Sequence, residues 1–319
     1  MLRRRRLLLT SAGTAAGMLA APAMLRADTR TVKMGVLRLV HSMPPYFYEK
    51  FAPEGLKIDI VVFDSPTDGK NAVVTKSVDF GTFGAAAAIL GGAAGEPIAV
   101  VGAMCNKGMG VIAKSGSEIK TLKDLKGKRV GIWPGSTQEV FIMERLRMEG
   151  MSIKDVTSVR VPFGEMPAML ARGDIDAYVG AEPGPGLSIS SGQGKLVEYP
   201  YSTPMGGLNM VLGTHEDTVE KNPDLVRTML KLQRQASEFM AKNKPAVVDA
   251  TVQKLGANRA AVEEALGADN VEYIWRLDTT VQGQIRTYAQ QMLELKQIRQ
   301  LPKFEVFLNP KFSDEIANS

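Results

Sequence analysis

The stretch from Gly173 to Gly186, GDIDAYVGAEPGPG, contains a short apolar run that leads into an acid followed by proline. Ala177–Val179 has the length and the apolar character of a buried strand, and Asp176 stands directly before it. Glu182 follows where this strand should end. The pattern is typical of a sheet whose strands carry polar residues at their carboxyl ends.

Two earlier landmarks resemble this region and its surroundings. The segment VDFG at 78–81 resembles IDAY at 175–178, and VKMGV at 32–36 resembles RVGI at 129–132. Both pairs are separated by about 96 residues. Because two different landmarks share one spacing, the sequence predicts two lobes of similar plan.

Short apolar runs and amphipathic stretches alternate along most of the chain. The predicted strands are Thr31–Leu37, Lys57–Phe63, Ile98–Ala103, Gly110–Lys114, Arg129–Trp133, Ser158–Val161, Ala177–Val179 and Leu208–Gly213. Helical patterns lie between most of them, which predicts an α/β fold with largely parallel sheets.

The last third of the chain is mainly helical from Asn222 onward. One helix face recurs at spacings of four and three residues in two series, namely Leu225, Met229, Leu232, Ala236 and Phe239, and Val281, Ile285, Tyr288, Met292 and Leu295. Asn222-Pro223-Asp224 provides a helix start. We therefore expect a helical layer packed around the sheets.

Residues 1–27 have the layout of an export signal. Four arginines at positions 3–6 precede an apolar run of roughly 15 residues, which is shorter than a membrane-spanning helix requires. Cleavage is expected after Ala23 or Ala27, by the twin-arginine or the general secretory route. A permanent membrane anchor is the alternative. The signal predicts a periplasmic protein.

The charge balance depends on this segment. It carries five arginines and no acid, so the 39 basic residues of the whole chain become 34 against 34 acidic ones. A nearly neutral mature chain disfavours nucleic-acid binding. Cys105 is the one cysteine, and His41 and His215 are the two histidines, so we expect no disulfide, no metal site and no cofactor.

Polar or small residues stand where predicted strands lead into helices. They are His41 and Ser42 after the first strand, Thr82 and Phe83 in the GTFG segment, and Ser136 and Thr137 in PGST. Helix N-termini offer N–H donors and partial positive charge, and ligands of α/β sheets bind at such strand ends. Capping is the alternative role of each hydroxyl, because Ser136 and Glu139 have the spacing of a capping box. Taken together, these residues predict a ligand cleft between the lobes.

Glu182 belongs to the same edge of the second predicted sheet. The PGPG that follows it restricts the backbone and would fix the position of the carboxylate. We expect it to face the cleft and to bind an ammonium, a guanidinium, a protonated ring or N–H groups of the ligand. A solvated rim carboxylate, or one paired with lysine or arginine, is the alternative.

The signal, LKDLKGKRVGI at 122–132, the PGST helix start and GDIDAYVGAEP together resemble solute-binding proteins of ABC importers in the nitrate/sulfonate/taurine family, including its thiamine-pyrimidine binders. The resemblance implies a type II periplasmic-binding-protein fold, with two α/β lobes hinged by two crossing strands. Lobe 1 would comprise residues 28–112 and 213–319, and lobe 2 residues 113–212. The crossings would fall near Gly110–Ser115 and Leu208–Thr214.

The resemblance also implies a function and partners. The chain would capture a small polar, nitrogen- or sulfur-containing solute as a monomer and deliver it to a membrane permease and its ATPase. The ligand-binding residues would be His41, Ser42, Thr82, Phe83, Ser136, Thr137 and Glu182. Because an acid at position 182 disfavours a simple oxyanion, a zwitterion or an amine-bearing solute is expected.

Two other functions stay open. An enzyme similar to the pyrimidine-precursor synthases would need an iron site rich in histidine and cysteine, which His41, His215 and Cys105 supply poorly because they are far apart in the sequence. A sensor component would present the loaded protein to a receptor instead of a permease. The neighbouring genes distinguish transport from sensing.

Overall fold

The computed structural model of the protein describes residues 30–267 and 270–318. The predicted export signal lies outside them. The strands are β1 (Arg30–Leu37), β2 (Leu56–Phe63), β3 (Phe80–Gly84), β4 (Ile98–Lys107), β5 (Met109–Lys114), β6 (Arg129–Ile132), β7 (Thr157–Arg160), β8 (Ala177–Ala181), β9 (Gly194–Glu198), β10 (Leu208–His215) and β11 (Val271–Tyr273).

Helices separate most of these strands. They are α1 (Pro66–Val74), α2 (Ala85–Ala94), α3 (Thr137–Met148), α4 (Met166–Arg172), α5 (Gly184–Ser190), α6 (Glu216–Lys221), α7 (Pro223–Lys242), α8 (Lys244–Leu255), α9 (Arg259–Leu266), α10 (Thr279–Glu294), α11 (Phe304–Phe307) and α12 (Lys311–Ala317), with short 3-10 turns between them. Within the described ranges, no helix has both the length and the apolar character needed to cross a membrane.

The strands form two sheets, and each sheet is the centre of one lobe. The first sheet has the order β11-β4-β10-β3-β1-β2, and the second has the order β7-β6-β8-β5-β9. In the first lobe β2, β1 and β3 run parallel and β10 joins them antiparallel. In the second lobe β7, β6 and β8 run parallel and β5 joins them antiparallel. The predicted α/β class and two-lobe plan are confirmed.

The sequence repeat corresponds to equivalent positions in the two sheets. The Asp79 carboxylate accepts a hydrogen bond from the Lys33 backbone N–H at 2.8 Å, and the Asp176 carboxylate accepts one from Arg129 N–H at 2.8 Å. Each acid therefore joins the strand that follows it to the neighbouring parallel strand. The repeated Asp therefore has a structural role in strand register, and this role explains its presence without ligand binding.

The connections between the lobes differ from the predicted ones. β5 pairs with β8 along Met109–Ala113, so it lies wholly within the second sheet, and β10 lies within the first. The chain passes between the sheets at Gly108 and again between β9 and β10, within residues 199–207. The predicted lobe boundaries at 112/113 and 212/213 thus fall inside two strands.

The helical layer follows the predicted periodicity. On α7, the side chains of Leu225, Met229, Leu232 and Ala236 are buried, and on α10 those of Val281, Ile285, Tyr288 and Met292 are buried. α7 packs beside the first sheet, whereas α9 packs against α5 of the second lobe. The last third of the chain consequently contacts both lobes.

Gly108 is required at the first crossing for two reasons. Its φ of +75° is in the left-handed region, and a Cβ there would lie 2.2 Å from His41 Nε2. Gly116 has the same φ of +75°, but nothing lies within 4 Å of the position of its Cβ. Alanine substitutions at Gly108 and Gly116 therefore distinguish the cost of backbone strain, which both share, from the cost of steric overlap, which only Gly108 has.

We expect Gly116→Ala to lower the free energy of unfolding by about 1 kcal/mol, from backbone strain alone. Gly108→Ala should lower it by about 3 kcal/mol, because overpacking against His41 is added. Urea unfolding followed by circular dichroism measures both values. Equal losses in the two variants would show that His41 does not constrain the crossing.

Candidate functional site

A cavity of about 840 Å³ lies between the two lobes. Its walls combine Arg38, Leu39, Asp64, Ser65, Thr67 and Asp68 of the first lobe, Trp133, Pro134, Arg160, residues 162–165, Pro167, Ala181, Pro183, Gly184 and Leu187 of the second, and residues 255–258 with Ala261 of the α8–α9 region. The volume is in the range of small-molecule sites.

The parallel strands position most of this lining. β2 ends at Phe63 and leads into Ser65, whose hydroxyl accepts a hydrogen bond from Asp68 N–H and caps α1. β6 ends just before Trp133, and β7 ends at Arg160. The cavity therefore lies at the carboxyl ends of strands from both sheets, where α/β proteins bind ligands.

The cavity presents charges of both signs. Arg38 Nε lies 2.8 Å from Asp64 Oδ1, and this exposed pair is neutral overall. The Arg160 guanidinium lies over the Trp133 ring at 5.0 Å from its centroid. Among the described residues no carboxylate forms a salt bridge with Arg160, and no cation forms one with Asp68 or Glu165. One cation and two anions are thus available to a ligand.

Ser136 and Thr137 lie at the start of α3. Ser136 Oγ accepts a hydrogen bond from Glu139 N–H at 3.2 Å, so it performs the capping role. Thr137 Oγ1 donates to the Asn209 carbonyl at 3.1 Å, and Tyr288 donates to the Thr137 carbonyl at 3.0 Å. Because Asn209 belongs to the first lobe, Thr137 is an inter-lobe contact.

Ser42, Thr82 and Phe83 lie within the first lobe. Ser42 Oγ accepts a hydrogen bond from Leu37 N–H and lies 2.8 Å from Thr82 Oγ1. Phe83 is fully buried in β3, where its ring fills the space beside Gly213. These side chains join β3 to the turn after β1.

His41 lies at the first crossing. Its Nε2 is 2.7 Å from Asn209 Nδ2, which also donates to the Lys107 carbonyl. Nε2 also lies 3.3 Å from the Lys107 carbonyl, so this ring nitrogen faces both groups at the crossing. Burial lowers the pKa of His41 to about 4, so the ring is neutral near pH 7.

Glu182 is almost completely buried at the end of β8. Its Oε2 accepts a hydrogen bond from Gly186 N–H at 2.9 Å, and its Oε1 accepts one from Asn270 Nδ2 at 3.0 Å. Burial raises the pKa of Glu182 to about 8, although both hydrogen bonds favour the ionised form and lower it. The carboxylate points at the start of α5 and at Asn270.

All seven residues predicted to bind the ligand are buried, and none lines the 840 Å³ cavity. The structure brings Ser42 and Thr82 together, whereas Thr137 and Glu182 each contact the opposite lobe. Their assignment to ligand binding stays a prediction. The strand-end rule that selected them applies equally to Trp133 and Arg160, which line the cavity and were missed.

A sequence profile described as NMT1/THI5-like matches residues 48–246, more than half of the chain. The 4-amino-5-hydroxymethyl-2-methylpyrimidine phosphate synthase of Uromyces fabae is 33% identical over 161 residues, which cover 48% of this chain and 47% of that protein. The chain thus spans about half the length of this relative. A Bacillus subtilis (strain 168) protein named for aliphatic sulfonate binding is 26% identical over 223 residues, covering 69% and 67%.

Solved structures show the same fold. The alkanesulfonate-binding protein SsuA from Xanthomonas axonopodis pv. citri, bound to MOPS, superposes with a TM-score of 0.77 at 20% identity, covering 88% of this chain and 98% of that one. The periplasmic nitrate-binding protein NrtA from Synechocystis PCC 6803 gives 0.76 at 16% identity, covering 90% and 88%. The chain has the two-lobe α/β fold of periplasmic binding proteins.

The buried carboxyl of Glu182 predicts a pH dependence of stability. Its pKa is about 8 when folded against 4.5 ordinarily, so between these values the folded state holds a proton that the unfolded state has released. The free energy of unfolding should therefore fall as pH rises from 4.5 to 8, by up to about 1.4 kcal/mol per pH unit.

Urea unfolding at pH 5 to 9 tests this, with Glu182→Gln compared to the parent protein. The variant should lose this downward slope, whereas Glu305→Gln, which changes an exposed glutamate, should retain it. Identical slopes in Glu182→Gln and the parent would show that Glu182 does not titrate in this range.

Proposed function

The chain belongs to the NMT1/THI5-like family, and on that premise we propose that it is the extracytoplasmic solute-binding component of an ABC import system. It captures a small polar, nitrogen- or sulfur-containing solute between its lobes and delivers it to the membrane permease, whose ATPase drives import. The observation that carries this proposal is the 840 Å³ cavity between two lobes that the chain connects at two crossings.

Closure of the lobes is the proposed binding mechanism. Rotation at Gly108 and within residues 199–207 would bring the two sheets toward a solute held between them. Groups of both lobes line the cavity, so a ligand that contacts Arg160 and Asp68 at once stabilises the closed arrangement. Such closure needs no covalent chemistry.

The charges of the cavity favour a solute with groups of both signs. An oxyanion of the solute would bind Arg160, and an ammonium or amidinium would bind Asp68 or Glu165. Trp133, Phe163 and Leu187 offer apolar surface for the part between them. The sequence predicted a zwitterionic solute because of Glu182. The charged residues that line the cavity now support the same expectation.

The proposed location is the periplasm, reached by the export signal at residues 1–27 with cleavage after Ala23 or Ala27. Relatives of the same fold are periplasmic binding proteins. A single-chain monomer is the proposed working form.

An enzymatic function has one observation in its favour, the similarity to pyrimidine phosphate synthases. The residues do not fit a metal-dependent reaction of that kind. His41 binds Asn209, His215 Nδ1 accepts a hydrogen bond at the start of α6, and Cys105 is buried in β4. Within the described ranges, no three His, Cys, Asp or Glu side chains form a group that could hold a metal ion.

A thermal-shift screen tests solute binding by the purified mature protein. The panel contains amines, sulfonates, taurine as a zwitterion, nitrate, pyrimidines, ureas and guanidines. A ligand at 100 times its dissociation constant should stabilise the protein by roughly 2.7 kcal/mol. Recovery of the ligand unchanged after incubation supports binding without turnover, and conversion of it supports the enzyme.

We expect Arg160→Met to lower the affinity for the best ligand of this panel by roughly 10- to 100-fold. The variant loses a charge-assisted hydrogen bond to the ligand but keeps an apolar side chain beside Trp133. Arg172→Met is the matched control, since Arg172 is exposed in the same lobe but pairs with Asp174 away from the cavity. Isothermal titration measures both affinities. Equal weakening in the two variants, or no ligand in the whole panel, would contradict the proposal.

A further inference from the structure

The helices α8 and α9 are attached to the first lobe by their apolar packing. Val247 on α8 is buried in a cluster with Met43, which follows the turn after β1, and with Met240 on α7. Leu255 at the end of α8 and Leu266 at the end of α9 pack against the same cluster. Because both helices end on apolar groups of the first lobe, the pair should move with that lobe.

The helix α9 also contacts the second lobe. A Cβ on Gly186 of α5 would lie 2.3 Å from the Ala261 carbonyl oxygen and 3.0 Å from Ala265 N, so the two helices meet through backbone atoms. Ala261 and Ala265 are almost completely buried. One helix pair of the first lobe therefore reaches across to the second lobe and touches it at backbone distance.

This contact is strict in its geometry but small in the apolar area that it buries. Gly186, Ala261 and Ala265 carry at most one methyl group each, so their separation returns little apolar surface to water. The contact is therefore of a kind that can form and break repeatedly. Its closeness also makes it sensitive, because one added methyl group has to displace a helix.

The contact between α5 and α9 belongs to the wall of the inter-lobe cavity. Pro183, Gly184 and Leu187 line the cavity from the second lobe, and residues 255–258 with Ala261 line it from the α8–α9 region. Where these two sets of residues meet, α5 and α9 close the cavity on one side. Separation of the two helices would widen the cavity on that side.

We propose that α8 and α9 form a clasp of the first lobe, which closes on α5 of the second lobe and governs access to the inter-lobe cavity. The clasp is closed in this structure and opens by separation of α9 from α5 at the contact between Gly186 and Ala261. Its role in solute entry rests on the proposed function. Its opening is a property of the ligand-free protein and can be measured without a solute.

Electron–electron double resonance between spin labels on the two lobes tests the clasp in the ligand-free protein. The labels are attached to Ser190→Cys on α5 and Lys231→Cys on α7, two exposed positions, and the native Cys105 is buried. Addition of Gly186→Ala should increase the population of longer distances by roughly 10-fold, because its methyl group overlaps Ala261 in the closed clasp.

Gly184→Ala is the matched control on the same helix. The nearest atom of a neighbouring element, Pro167 Cγ on α4, would lie 3.7 Å from its Cβ, which is an ordinary contact distance. This variant should leave the distances between the two labels unchanged. Circular dichroism verifies that each labelled protein is folded. The same distances in Gly186→Ala and Gly184→Ala overturn the proposal.

A second pair of labels shows which lobe carries the clasp. Glu263→Cys on α9 and Lys231→Cys on α7 are both exposed, and their distance should not change on addition of Gly186→Ala, because α8 and α9 stay on the first lobe. A longer distance in this pair would show that α9 moves with α5, and this result contradicts the proposal.

The reactivity of an introduced thiol tests the clasp with Gly186 left in place. Ala265→Cys puts a thiol at the buried contact, and Cys105 in β4 reports unfolding of the first sheet in the same molecule. The thiol at position 265 should react with a disulfide reagent at least about 10-fold faster than Cys105, because the clasp opens without global unfolding.

Equal reaction rates of the two thiols would show that α9 leaves α5 only when the protein unfolds, and they overturn the proposal. These measurements need no solute. Absence of any ligand in the thermal-shift panel would therefore contradict the proposed function and leave the opening of the clasp as measured.

Discussion

The passage of the chain from the first sheet to the second at Gly108 constrains every other part of the inter-lobe region. Gly108 is the single residue between β4 and β5, so the two sheets meet at one left-handed residue. His41 packs on the Cα of Gly108, Asn270 accepts from its N–H, and Glu182 donates to its carbonyl. The relative position of the lobes is therefore set by hydrogen bonds to a glycine that has no side chain of its own.

The buried and the exposed polar residues of this region perform different tasks. Thr137, Glu182 and Asn270 are bonded to the opposite lobe and determine how the lobes meet. Arg160, at the end of β7, and Asp68, in the first turn of α1, are exposed and have no ion-pair partner among the described residues. The first group joins the lobes beside the cavity, and the second supplies charges to the cavity wall.

The sequence predicted the sheets well because strand register follows from local chemistry. Asp79 and Asp176 each bond the neighbouring strand, so a spacing visible in the sequence corresponds to a real equivalence. The direction of Glu182 was not predictable in this way, since it depends on Asn270, which is 88 residues away. Arg160 ends β7 and satisfies the strand-end rule, but the rule was applied to small and hydroxyl residues, and an exposed arginine resembles any solvated charge.

The two lobes also differ in how the chain builds them. The strands of the second sheet, β5 to β9, come from one uninterrupted stretch, whereas the first sheet receives β10 and β11 only after that stretch is complete. During synthesis from the N-terminus, the second lobe has all its strands while the first still lacks the antiparallel partner of β3. The edge of β3 that pairs with β10 therefore stays without its strand partner until the polypeptide has been made as far as residue 215.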